Sequence, residues 1–124
     1  MIGIHSKIFI AGHKGMLGSS IFRRLKKKGY KNLITIEKKK LDLRNQALVK
    51  KFFKKKKFDA VIIAAAKVGG IKANMDYPAN FIYDNLQIQI NLISASYENK
   101  VKRLIFFGSS CIYPKDLIKP IREN

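Results

Sequence analysis

Short apolar runs alternate with longer stretches of helical periodicity from residue 7 to residue 107, a pattern that predicts a parallel sheet with crossover helices. Lys7-Ile8-Phe9-Ile10-Ala11 reads as a first strand. After a glycine-rich turn, Leu17, Ile21, Phe22 and Leu25 recur at helical spacing, with Arg23, Arg24 and Lys26 to Lys28 on the other face and at the end, and Gly29 is a natural stop. Leu33-Ile34-Thr35-Ile36 predicts a short second strand, and Leu41-Asp42-Leu43 alternates like a minimal further one. Asn45 can cap a helix that buries Leu48, Val49, Phe52 and Phe53. Val61 to Ala66 is apolar on both faces, as a central parallel strand is, so Lys67 to Ile71 becomes a loop at the carboxyl edge of the sheet. One long helix follows from Pro78 to Tyr97. Its apolar surface is wide, with Phe81, Asn85, Ile88, Leu92 and Ala95 on one side and Ile82, Leu86, Ile90 and Ile93 on another, which predicts packing against the sheet and against a second body such as another copy. Arg103 to Phe107 reads as the next buried strand, and the tail from Pro114 forms no recognisable element.

The strand, glycine turn and helix at the start carry the first chemistry. Gly12-His13-Lys14-Gly15-Met16-Leu17-Gly18 is the order of a dinucleotide-binding fold: Gly12 turns the chain off the strand, Gly15 lets the backbone approach a pyrophosphate, and Gly18 lets helix and sheet pack closely. Without a ligand the same spacing serves as an ordinary strand-to-helix turn. The segment after the second strand leaves the cofactor open. Glu37 stands about where an acid would accept from the ribose 2′-hydroxyl of NAD, whereas Lys14 and Lys38 could hold the 2′-phosphate of NADP, and Lys39 and Lys40 read as a solvated turn. The small residues Ala64, Ala65 and Ala66 would let a flat ligand lie close.

Composition changes this picture little. The chain has 124 residues, 47% of them hydrophobic, enough for one domain and too few for two, so residues 1–124 are expected to form a single dinucleotide-binding domain. A net charge of +18 would ordinarily suggest a polyanion. Lysine outnumbers arginine 21 to 5, however, and its runs fall at helix ends and connections, so they read as solvated faces and nucleic acid is not expected as a partner. One cysteine excludes an internal disulfide framework and suits a reducing compartment, with the cytoplasm as the default. No signal-peptide pattern opens the chain and no apolar run reaches the ~20 residues of a membrane span, so neither export nor a membrane is expected. No metal-ligand cluster is expected either.

Three segments, Ala11 to Gly18, Ala64-Ala65-Ala66-Lys67-Val68-Gly69-Gly70-Ile71 and Gly108-Ser109-Ser110-Cys111-Ile112-Tyr113-Pro114, occur in order between Lys7 and Lys115. Together they resemble the extended short-chain dehydrogenases, the NAD-dependent epimerase/dehydratase family, and within it the epimerase/reductases of nucleotide sugars. The resemblance implies a Rossmann-like, doubly wound parallel α/β sheet. It implies NADP in preference to NAD, and a GDP-4-keto-6-deoxy-D-mannose substrate that is epimerised at two carbons flanking its ketone and then reduced there. Gly12 to Gly18 would take the pyrophosphate, with His13, Met16 and Leu17 in the motif. Lys14 and Lys38 replace arginines directed at the 2′-phosphate, keeping the charge but losing the bidentate fork. Asp42 and Leu43 would lie near the adenine, and Ala64 to Ala66 and Phe107-Gly108-Ser109-Ser110 along the cofactor. Ser109 would hydrogen-bond the substrate carbonyl and so polarise it for hydride delivery. Cys111 would be the acid/base of epimerisation, because removing a proton α to a carbonyl needs a group that changes protonation near neutral pH.

Tyr113 does not match the reductase tyrosine, since position 117 is leucine and no Tyr-x-x-x-Lys pair follows. That pair, a second epimerisation residue and the sugar-binding domain are expected beyond this sequence, which therefore reads as an amino-terminal portion that is incomplete at its carboxyl-terminal side and inactive by itself. Another nucleotide-sugar epimerase or dehydratase, and a non-catalytic nucleotide-binding module, are the alternatives. Position 103 to 107, left without a neighbouring strand, would be an aggregation hazard.

Overall fold

The computed structural model describes residues 2–109 and 113–114. The elements are β1 (Ile8–Ala11), α1 (Met16–Lys27), β2 (Leu33–Ile34), α2 (Gln46–Lys56), β3 (Ala60–Ile63), α3 (Ile71–Asp76), α4 (Pro78–Glu98) and β4 (Arg103–Phe106). All four strands are parallel, in the order β2-β1-β3-β4, with Ile8 opposite both Leu33 and Ala60, and Ala60 opposite Arg103.

Alternation along β1 and β3 divides the core in two. Phe9, Ala11, Val61 and Ile63 face one side, where Val49 and Phe53 of α2 and Leu92 and Ala95 of α4 cover them. Ile8, Ile10, Ala60 and Ile62 face the other, where Ile21, Phe22 and Leu25 of α1 pack. Both faces of these strands are buried, as their continuous apolar sequence requires. Phe9, Phe52, Phe53 and Phe58 form an aromatic cluster on the first side; Phe9 and Phe58 stack at 5.2 Å and Phe53 meets Phe58 edge to face at 5.1 Å.

Several expectations need correction. β2 stops at Ile34, because only Leu33 and Ile34 pair with β1. Leu41-Asp42-Leu43 is not a strand: Leu41 points into the core from an irregular segment, and the Asp42 carboxylate turns back to accept from the Arg44 amide at 3.0 Å. β3 ends at Ile63, so Ala64 to Ala66 belong to the connection rather than the strand. Ile71 opens α3 instead of closing a loop. Leu17 and Leu48 are exposed at the first turns of their helices. All of β4 is exposed: it is an edge strand of the described sheet, and none of its residues joins either core cluster.

Asn45 does cap α2, its side chain accepting from the Leu48 amide at 3.0 Å. Asn45→Ala is expected to cost about 1 kcal/mol, read as a lower urea midpoint at unchanged slope; an unchanged midpoint would show the cap to be idle. The helix α4 stripe splits as its breadth suggested: Leu92 and Ala95 are buried, while Ile82, Leu86, Ile90 and Ile93 are exposed. Among the described residues, no helix is long and apolar enough to cross a membrane.

Candidate dinucleotide site

Ala11 lies opposite Ile63, so the chain leaving β1 and the chain leaving β3 run side by side at the carboxyl edge of the sheet, tied by Ala64 N donating to Ala11 O at 3.0 Å. Two glycines make that contact possible. Gly12 has φ +85°, and a Cβ there would stand 2.5 Å from Ala64 O and 2.6 Å from the Ala64 carbonyl carbon. Gly18, in the first turn of α1, would drive a Cβ into the Gly12 carbonyl oxygen. Gly15 differs. Its backbone is extended at φ −74°, ψ 166°, and a Cβ would meet the Gly12 oxygen at an ordinary 3.4 Å.

Gly12 and Gly18 are therefore demanded by main chain against main chain, whereas the protein itself has room for a side chain at 15. A bare backbone there leaves open space beside the start of α1, where no side chain caps the helix and no acid sits in the first turn. Uncapped amides at a helix start attract anions, and the His13 Nδ1 nearby is buried with no hydrogen-bond partner among the described residues. These features fit a bound pyrophosphate.

A cavity of about 500 Å³ opens from this loop. It brings together Gly12, His13, Lys14 and Gly15 from the first connection, Lys38, Asp42 and Leu43 from the second, and Ala64, Ala65 and Ala66 from the third. Met16 and Leu17 do not line it; both are exposed on α1. Gly18 is buried in the helix-to-strand contact rather than at the cavity wall. Phe107, Gly108 and Ser109 follow β4, and Phe107 N extends the ladder to Ile63 O at 3.3 Å, but none of the three lines the cavity. Ser110 and Cys111 lie outside the described residues. No group of histidines, cysteines and acids able to hold a metal occurs among the described residues.

The cavity floor contains a charge network that periodicity did not reveal. The Arg44 guanidinium donates to both Asp42 oxygens, with its shortest bond at 2.7 Å, and to Asp84 Oδ1 at 2.9 Å. Asp84 Oδ2 also pairs with Lys67 Nζ at 3.1 Å, and that ammonium lies 5.1 Å from the centre of the Phe81 ring. Hydrogen bonds from Arg44 hold the Asp42 carboxyl down at about 2, and Arg44 then Lys67 keep Asp84 below the ordinary carboxylate range. Two asparagines of α4 fix the surrounding main chain. Asn85 accepts from Lys67 N at 2.7 Å and donates to Lys67 O at 3.0 Å. Asn91, buried, donates to the Leu43 and Arg44 carbonyls at 3.0 and 2.8 Å.

Asp84, Ile88 and Asn91 recur at helical spacing, and a polar residue within a covered stripe must find a partner inside. That signal marks Asp84 and Asn91 in the sequence. Arg44 had no comparable mark.

A glycine-cradled cavity at the carboxyl edge of a parallel sheet, between connections of adjacent strands, defines a dinucleotide-binding α/β protein. More narrowly, the chain belongs to the NAD dependent epimerase/dehydratase family, whose model matches residues 8–124. It is 55% identical over 119 residues to GDP-L-fucose synthase 1 of Arabidopsis thaliana, covering 96% of this chain and 37% of that protein. It is 48% identical over 118 residues to GDP-L-fucose synthase of Escherichia coli K12, covering 95% and 37%. Among solved structures it resembles MlghC, a GDP-mannoheptose C4 reductase from Campylobacter jejuni with NADP bound, at TM-score 0.93 and 43% identity over 98% of this chain and 38% of that one. The chain thus spans well under half the length of the relatives it matches.

Proposed function

We propose that these residues are the NADP-binding portion of an enzyme converting GDP-4-keto-6-deoxy-D-mannose to GDP-L-fucose, by epimerisation at carbons 3 and 5 and reduction at carbon 4. The observation that carries this reading is the Gly15 cradle within a chain 55% identical to a GDP-L-fucose synthase. NADPH, when bound, supplies the hydride.

Each role proposed for this chain has a physical basis. The free amides at the start of α1, just past Gly15, bind the pyrophosphate, Lys14 and Lys38 the 2′-phosphate, and Asp42 and Leu43 flank the adenine. Ala64 to Ala66 leave room for a flat ring, and Phe107 to Ser110 are assigned to the cofactor by the family resemblance. Ser109 donates to the sugar ketone, and Cys111 exchanges the protons α to it. The role proposed for this chain is to hold the dinucleotide and to present Ser109 and Cys111 to the sugar. The exposed α4 stripe would pair with a second copy, and the single cysteine favours a cytoplasmic setting. Neither nucleic acid nor a membrane is part of this reading.

A second reading, reduction of another GDP-sugar without epimerisation, is favoured by the likeness to the C4 reductase MlghC. Two measurements test the first. NADPH should bind the chain, and Lys38→Met should weaken NADPH about tenfold while sparing NADH; absence of binding, or equal losses for both, would sink the cofactor assignment. In the complete enzyme, Cys111→Ser should stop exchange of the α protons and spare reduction of a pre-epimerised ketone; unaltered exchange would remove the role of Cys111, and absence of exchange in the unaltered enzyme would favour the second reading.

A further inference from the structure

Glu37, on the segment that leaves β2, reaches back to the glycine loop: its Oε1 lies 2.6 Å from Lys14 Nζ. Both side chains line the same cavity and both are exposed, 47% for Glu37 and 69% for Lys14. An exposed pair opens at little cost, so it does not bar a ligand; what persists is the charge on each partner. Lys14 holds the Glu37 carboxyl below its usual range while the pair is closed, with Lys40 and His13 adding to the effect; once the pair opens, an exposed carboxylate is still ionised at neutral pH.

If a pyrophosphate sits at the start of α1 and the adenine lies toward Asp42, the ribose between them falls beyond the end of β2, beside Glu37 and Lys38. There the two nicotinamide dinucleotides differ by one phosphate. NADPH brings a dianion that draws Lys14 away from Glu37 and leaves an ionised carboxylate facing it. NADH brings a hydroxyl that can donate to Glu37 while Lys14 keeps its partner.

We propose that Glu37 is a specificity-determining residue: by competing with the 2′-phosphate for Lys14 and accepting from a free 2′-hydroxyl, it narrows the preference for NADPH and admits NADH. This rests on reading the cavity as a dinucleotide site. Lys14 and Lys38 favour the phosphate, Glu37 opposes it, and the discrimination is the difference between them.

Glu37→Gln keeps the size and removes the charge. Dissociation constants for NADPH and NADH, measured by fluorescence on the protein and the variant at low salt, should show NADPH tightening, NADH weakening, and their ratio rising about tenfold. The gap between protein and variant should shrink as ionic strength rises. A ratio that stays constant or falls, with the unaltered protein binding both nucleotides, would overturn the role of Glu37 and leave the site intact. If the unaltered protein binds neither, the dinucleotide reading fails and this role fails with it. Equal melting temperatures for protein and variant would confirm that the change acts on the ligand and not on the fold.

Discussion

Gly12→Ala is expected to unfold the protein in part or to lower its stability by about 3 kcal/mol or more, while Gly15→Ala, three residues on, stays within about 1 kcal/mol of the parent. At Gly12 a methyl group would meet the carbonyl of Ala64 at 2.5 Å from a backbone already at φ +85°, so neither rotation nor a side-chain shift can relieve it. Gly18→Ala should behave like Gly12→Ala, since its new atom strikes the Gly12 carbonyl. Gly15 already has an extended backbone and an ordinary contact distance. Its methyl would instead occupy the space above the helix start, and NADPH affinity should fall about a hundredfold in a protein that melts almost normally. Thermal melts paired with nucleotide titrations separate the two effects. A Gly15→Ala protein that binds as before would remove the phosphate from this loop, and a stable Gly12→Ala protein would refute the close approach of the two connections.

Arg44→Met should lower the melting temperature by several degrees at neutral pH and weaken nucleotide binding, because the methionine stem fills the space but frees Asp42 and leaves Asp84 to Lys67 alone. Its effect on acid stability is more diagnostic. The Asp42 carboxyl is depressed from 3.8 to about 2 in the folded protein. A depressed acid stabilises the fold above its unfolded value, and that contribution is lost as pH falls through the folded one. The parent should therefore lose stability between about pH 4 and pH 2, and Arg44→Met should flatten that part of the profile, since Arg44 is the chief cause of the depression. Melting curves across this range check it, and parallel profiles would deny the pair any linkage to folding. Arg44→Met combined with Asp84→Asn should cost less than the two changes summed, because the second removes a charge that the first left without its arginine.

Much of this was legible beforehand because apolar runs report burial directly. Ile8 to Ala11 and Ala60 to Ile63 are covered on both faces, and their sequences have no polar interruption. The glycine loop was equally plain: its spacing gave Gly12 to the turn and Gly18 to the helix–sheet contact, and main chain leaves no space for a Cβ at either. Leu41-Asp42-Leu43 misled because a turn that buries one leucine and turns an aspartate back on its own backbone imitates strand alternation. The Arg44 network was hidden for another reason. It joins the segment before α2 to the amino-terminal third of α4, and that pairing exists only once the sheet has brought the two helices together on one face. β4 reads as apolar whether or not anything covers it, so its exposure could not be inferred from its composition.

The strand order also bears on how the site comes into being. β1 pairs along all four of its residues with β3, far along the chain, but along only two with β2, its nearer neighbour in sequence. Closing the large loop between residues 8 and 60 carries an entropic cost that must be met before the ladder compensates it, so parallel pairing of this kind is slow to nucleate. Until it forms, the Gly12 turn has no Ala64 to rest against, and the cavity lacks its third wall. On a ribosome the nucleotide site cannot exist until residues well past 60 have emerged, so the ability to hold a nucleotide reports on long-range assembly of the chain and not on the local loop that carries the motif.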